Sequence, residues 1–117
     1  MKNIQNVRTD YVKGVLNLQD LQDSPGQQLS SWLQDAITAE ALDANAFCLS
    51  TINSKGFPRG RNVLVKGVEE EAILFYTNKR SSKSADLSLH PKAGATFFWP
   101  ELERQVCIYG NVTELSD

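Results

Sequence analysis

Ala46-Phe47-Cys48-Leu49-Ser50-Thr51-Ile52, then Asn53-Ser54-Lys55-Gly56, then Arg59-Gly60-Arg61-Asn62-Val63-Leu64-Val65-Lys66: the reading of this stretch decides the fold. Upstream of it, apolar residues recur at helical spacing. Within it the period is two, the pattern of a strand with one buried face. The residues between the two runs are turn formers, with Gly56 where a positive φ is expected. The stretch therefore predicts a hairpin of strands over 46–52 and 59–66.

Working outward, Ser24-Pro25-Gly26-Gln27 sets a Ser at an N-cap, a Pro at the first helical position and a Gln three after the Ser, a capping-box pattern. Leu29, Trp32, Leu33, Ala36 and Ile37 then form one apolar stripe, so a helix is expected that fades between Glu40 and Asp43. Residues 1–23 show no sustained periodicity and read as an arm that needs a surface to lie on. Downstream, Ala72–Thr77 (AILFYT), Ala93–Trp99 (AGATFFW) and Arg104–Leu115 (RQVCIYGNVTEL) read as three more strands. On the last of them Val106, Ile108, Gly110 and Val112 share one face, opposite Gln105, Cys107, Tyr109 and Asn111. Ser81 or Ser82 is placed to cap a short helix through Leu89, stopped at His90-Pro91.

Five strands with short connections and only two helices predict a mainly β, antiparallel sheet. The βαβ alternation, GxGxxG and GxxxxGK[ST] are all missing from the sequence, which disfavours dinucleotide and P-loop folds. A small, partly closed barrel would protect the strand edges. Because Asp117 follows directly on a strand, a sixth strand or a partner chain is expected to complete it. The organisation expected is an arm, 1–23, and one domain, 24–117.

With 41% hydrophobic and 22% charged residues in 117, the chain has the composition of one ordered globular core. No apolar run approaches the ~20 residues of a membrane helix, and Met1-Lys2-Asn3-Ile4-Gln5-Asn6 lacks a signal-peptide stretch. Two cysteines without a CxxC pair and one His argue against a metal site, so a cytoplasmic, metal-free protein is expected. The net charge of −2 hides an asymmetry: Asn53–Lys83 holds seven basic and three acidic residues, +4, leaving −6 elsewhere. Such a stretch suits a small anionic ligand more than a nucleic acid, with a solvated basic face as the competing reading.

Side-chain catalysis has little to work with. His90, at a helix end before Pro91, reads as a C-terminal cap or surface residue, and Cys48 and Cys107 read as small core residues. No Ser/His/Asp or Cys/His set can be assembled, so no catalytic side chain is assigned, and any enzyme chemistry would rest with a cofactor. More informative are Arg61 and Lys66 at the ends of one strand, Tyr76-Thr77-Asn78 closing another, and the basic run Lys79-Arg80-Ser81-Ser82-Lys83 before a helix. Cationic side chains beside the free amides of a helix start suit a phosphate. In a regular strand Arg61 and Lys66 point to opposite faces, so a bulge, a twist or a second subunit must reconcile them.

The order R-x-V-L-V-K, F-Y-T-N, S-S-K, H-P-x-A and F-F-W-x-x-L-E-R-Q-V closely resembles the pyridoxamine 5′-phosphate oxidase family of FMN enzymes. The likeness extends upstream through Arg8-x-x-Tyr11-x-Lys13-Gly14, Trp32, Ala44-Asn45-Ala46 and Gly56-x-Pro58. It implies an FMN-binding split β-barrel, working as a homodimer with flavin sites between subunits. It also implies oxidation of pyridoxine or pyridoxamine 5′-phosphate to pyridoxal 5′-phosphate, with O2 reoxidising the flavin. By motif position Arg61, Asn62, Val63, Leu64, Lys66, Tyr76, Thr77, Ser82, Lys83 and Gln105 match cofactor-binding residues. Of these, Arg61 and Lys83 would meet the phosphate, the backbone of 62–64 would line the ring system, and Gln105 would meet it. Arg8, Tyr11 and Lys66 match positions that approach the substrate. Nucleic acid and membrane are not among the implied partners.

Two departures accompany the likeness. Ser82 stands where the family usually has Arg, and the family's C-terminal segment, with further substrate and flavin contacts, has no counterpart before Asp117. Two alternatives stay open beside the oxidase reading: a flavin split barrel acting on another substrate, and a non-catalytic dimerising β-barrel.

Overall fold

The computed structural model of the chain describes residues 5, 16–78 and 80–115. Helix α1 (Pro25–Thr38) leads into β1 (Ala46–Ile52), β2 (Pro58–Val68) and β3 (Ile73–Phe75); α2 (Ser82–Leu89) then precedes β4 (Lys92–Trp99) and β5 (Arg104–Asn111). The Ser24 side chain accepts from the Gln27 amide at 3.2 Å, and Pro25 occupies the first turn, so α1 starts as its capping pattern predicts. The reciprocal bond of the capping box is replaced by one further out, from the Gln22 amide to Gln28 Oε1 at 2.8 Å.

The strands form one antiparallel sheet in the order β3-β2-β1-β4-β5, an open half-barrel whose edges among the described residues are β3 and β5. The predicted hairpin is there: β1 pairs with β2 from Ala46↔Leu64 to Ile52↔Pro58, around a turn in which Gly56 has φ +85°. The register divides the side chains between two faces. Phe47, Leu49, Thr51, Val65, Ala95, Phe97 and Trp99 are buried on one face, where α1 adds Leu29 and Ala36. Phe47 and Phe97 stack with ring centroids 5.1 Å apart, and Trp99 Nε1 donates to the Ala44 carbonyl at 2.8 Å. Ile37, expected in the apolar stripe, is half exposed, one position round the helix from the fully buried Ala36.

Three expectations need correcting. β3 is shorter than 72–77, because it pairs with β2 alone and its register shifts there, releasing Tyr76 and Thr77 into the following loop. β5 stops at Asn111, opposite Lys92 where its partner strand begins, and is followed by one more backbone bond, from the Val112 amide to the Pro91 carbonyl at 2.7 Å. Cys107 is exposed rather than a core residue, since its strand position puts it on the open face of the sheet.

Candidate functional site

Arg59 and Arg61 lie on the core-facing side of β2, opposite Thr51 and Leu49 of β1. Helix α2 crosses this end of the sheet and lowers Asp86 onto them. Asp86 is 3% exposed, and both of its oxygens are used. Arg59 grips it with a two-pronged fork, Nη2 to Oδ1 at 2.6 Å and Nε to Oδ2 at 3.1 Å, while Thr51 Oγ1 donates to Oδ2 at 2.8 Å. Arg61 Nη2 stands further off, 3.4 Å from Oδ2. Its Nη1 is fixed to the β1 side instead, donating to Thr51 Oγ1 at 2.7 Å and to the Leu49 carbonyl at 3.3 Å. The hydrogen bonds from Arg59 hold the Asp86 carboxyl below the usual carboxylate range; burial opposes them, and Thr51 and Arg61 assist. The same pairing pushes the Arg59 guanidinium up.

Asp86 follows Lys83 by three residues and Ser82 by four, so all three lie along one side of α2. The start of that helix is built from side chains. Ser81 is the N-cap and accepts from the Ser84 amide at 3.3 Å; Thr77 Oγ1 lies 3.4 Å from Ser81 Oγ, and Ser84 Oγ donates to the Asn78 carbonyl at 2.8 Å. With Ser84 N capped, the amides of Ser82 and Lys83 are those that a helix start leaves without intrahelical acceptors. Arg61 reaches this helix through Asp86, one turn further along, and Lys83 lies on the same side of it. Tyr76, 81% exposed, flanks this loop. Lys79 lies outside the described residues, as do Arg8, Tyr11, Lys13 and Gly14.

Asn62, Leu64 and Gln105 fall on the other face of the sheet. Cross-strand pairing sets Asn62, Cys48, Thr96 and Cys107 in one row, with Gln105 and Leu64 two residues along from it on their own strands. Gln105 Nε2 reaches Cys107 Sγ at 3.7 Å. Leu64 and Phe98 are 44% and 52% exposed on this face. Val63 differs from its neighbours, because its side chain packs against the core and only its backbone is available to a ligand. Lys66 sits where the pairing slips: Val65 faces Phe75 and Gly67 faces Leu74, leaving Lys66 as the extra residue of a bulge. The irregularity that the Arg61/Lys66 parity demands is therefore present at Lys66 itself. The structure brings Arg61, Thr77, Ser82 and Lys83 to one end of the sheet, and Asn62, Leu64 and Gln105 to its open face.

Sequence reasoning missed Asp86, Arg59 and Thr51 as parts of this site. One signal was available: Asp86 is the only acid between Glu71 and Glu101. His90 is the C-terminal cap of α2, its amide donating to the Asp86 carbonyl, as expected of its position. Among the described residues no group of three or more His, Cys, Asp or Glu is arranged to hold a metal, and no helix is long and apolar enough to cross a membrane.

The family model described as Pyridoxamine 5′-phosphate oxidase matches residues 33–117. A pyridoxine/pyridoxamine 5′-phosphate oxidase of Cytophaga hutchinsonii is 42% identical over 114 residues, 97% of this chain and 53% of the relative. One of Thermosynechococcus vestitus is 43% identical over 116 residues, covering 99% and 55%. The chain thus spans about half the length of the curated relatives it matches. Among solved structures, PhzG from Burkholderia lata, in complex with tetrahydrophenazine-1-carboxylic acid, superposes with a TM-score of 0.75 at 26% identity, over 83% of this chain and 49% of that one. A pyridoxamine 5′-phosphate oxidase-related, FMN binding protein from Nostoc punctiforme has the same fold, with a TM-score of 0.66 at 21% identity over 75% and 47%. From strand order to motif order, and with the family model covering its last 85 positions (33–117), this chain belongs to the pyridoxamine 5′-phosphate oxidase family.

Proposed function

We propose that the chain is the FMN-binding part of a pyridoxine/pyridoxamine 5′-phosphate oxidase, acting as a cytoplasmic homodimer. The observation that carries the reading is the seating of α2 on β2, which sets Arg61 beside the helix whose first turn carries Ser82 and Lys83. These donors fit the phosphate of FMN: a guanidinium, an ammonium and two helix-start amides, with the nearby Asp86 carboxylate already held by Arg59. When bound, FMN supplies a two-electron acceptor for the alcohol or amine of the substrate, which O2 then restores. The chain's own residues bind and orient. Arg61 and Lys83 hold the phosphate, the backbone of 62–64 and Gln105 support the ring system, and Lys66 on its bulge reaches the substrate, with Arg8 and Tyr11 assigned there by motif.

The homodimer reading draws support from the open face, where Leu64, Phe98 and Tyr109 are 44%, 52% and 84% exposed on a sheet whose edges among the described residues are β3 and β5. The cytoplasmic reading draws support from the cysteines. Cys48 and Cys107 both pair with Thr96 across the ladder, two strand spacings (~9.6 Å) apart, beyond disulfide reach without backbone movement.

The test is anaerobic mixing of the FMN-loaded chain with excess pyridoxine 5′-phosphate, followed at the visible flavin band. The reading expects bleaching by the phosphorylated vitamer and none by pyridoxine. With these 117 residues alone, the rate should stay below the ~1 s⁻¹ of an ordinary enzyme, because few substrate anchors lie among them. Flavin that stays oxidised throughout would instead favour a different substrate on the same fold.

A further inference from the structure

Asp86 places a negative charge beside the residue expected to bind a phosphate, which on its own would weaken the site. A lone carboxylate there would draw the Arg61 guanidinium to itself and repel an incoming anion. The geometry shows how this is avoided. Arg59 takes both Asp86 oxygens with Nη2 at 2.6 Å and Nε at 3.1 Å, whereas Arg61 keeps only a 3.4 Å contact to the same carboxylate. Arg61 is anchored by Thr51 Oγ1 at 2.7 Å and by the Leu49 and Arg59 carbonyls at 3.3 and 3.2 Å, all through Nη1. Its Nε has no acceptor among the described residues, and Nη2 has only the long contact, so the Nε/Nη2 edge retains donor capacity.

We propose that Arg59 is a positioning residue of the phosphate site: by consuming the charge of Asp86 it leaves the Nε/Nη2 edge of Arg61 for the phosphate of the cofactor. The inference rests on the FMN reading above but goes beyond it, because Arg59 itself makes no contact with the ligand. Asp86 then has a structural task, seating α2 on β1 and β2 through Thr51 and the two arginines, and Arg59 makes that task compatible with anion binding. The two cations and one anion leave a net positive charge at the mouth of the site, to which Lys83 adds.

The test compares FMN with riboflavin, which differs by the phosphate alone, by fluorescence titration of the intact chain. Arg59→Gln should weaken FMN binding about tenfold, the loss of roughly one charge-assisted contact, and leave riboflavin unchanged. In the double variant Arg59→Gln with Asp86→Asn, the stray carboxylate is gone and FMN binding should return to within about threefold of wild type. Arg59→Lys keeps the charge without the fork and should fall between wild type and Arg59→Gln; if Arg59→Gln does not fold, Arg59→Lys with and without Asp86→Asn gives the same comparison. An FMN-to-riboflavin ratio unchanged by Arg59→Gln, or a double variant as weak as the single, overturns the proposal. Wild-type protein that does not bind FMN overturns the cofactor reading instead, so the two failures are distinguishable.

Discussion

Ser82 occupies the first position of α2, exposed, on the side of the helix that also carries Lys83 and Asp86. Ser82→Arg adds a second long cation where the family usually has one, and should tighten FMN by tenfold to a hundredfold, the equivalent of ~1.5–3 kcal/mol for a charge-assisted contact. Calorimetry showing no gain contradicts the placement of Ser82 at the phosphate. Asp86 gives a prediction of a different kind. Its carboxyl is held below the usual range by Arg59, so in acid the unfolded chain binds more protons than the folded one. The stability it contributes is complete above the ordinary carboxylate value of ~3.9 and is lost as the pH falls through the lower folded value. Urea midpoints should therefore drop across this window, and Asp86→Asn, less stable at neutral pH, should show a flatter acid limb; parallel limbs contradict the assignment. Arg61 and Lys83 were legible as candidates because charge in an otherwise acidic chain and motif position both single them out. Arg59 and Asp86 were not, because their pairing depends on the strand register and on the rotation of α2, neither of which a linear pattern encodes.

At the scale of elements, the period of the apolar residues located α1 and β1 closely, since both bury one face against a continuous neighbour. The edges were harder to read: Tyr76, Thr77 and residues 112–115 look like strand in composition, but the ladder of β3 with β2 shifts register between Val65 and Gly67, and that of β5 with β4 ends at Lys92↔Asn111. A packing constraint hidden from any period reading sits at Gly26. A Cβ there would lie 2.2 Å from the Glu70 carbonyl oxygen and 2.7 Å from that of Glu69. Gly→Ala within a helix ordinarily gains up to ~1 kcal/mol, but here the added carbon meets backbone of the β2–β3 turn, which cannot swing aside. Gly26→Ala should instead destabilise by about 1–3 kcal/mol, read as a lower urea midpoint with an unchanged slope. A gain in stability contradicts the close approach of α1 to that turn. The opposite side of α1 is held by Arg104, whose guanidinium lies 4.7 Å from the Trp32 ring centroid and 2.8 Å from Asp35 Oδ2. Arg104→Ala should cost about 1 kcal/mol, most of it from the ring contact, because the ion pair is exposed to solvent.

For the whole molecule, a half-barrel with β3 and β5 at its edges among the described residues, and with Leu64, Phe98 and Tyr109 exposed on its open face, predicts self-association. Sedimentation at tens of micromolar should give a species of twice the 13.0 kDa chain mass, as a stable interface of roughly 1,200–2,000 Å² requires; a clean monomer contradicts the dimer. A dimer would also bear on the cofactor, since the predicted site residues are divided between the two faces of one sheet and a second copy would offer its own residues to the incomplete face. The central claim, that the end of β2 and the start of α2 form a phosphate site for FMN, is tested most directly by titrating the purified chain with FMN and with riboflavin while following flavin fluorescence. FMN should bind in the micromolar range or weaker and riboflavin at least about tenfold more weakly still, the difference being a phosphate held by Arg61 and Lys83. Equal affinities for the two flavins, or no binding of either, would contradict it.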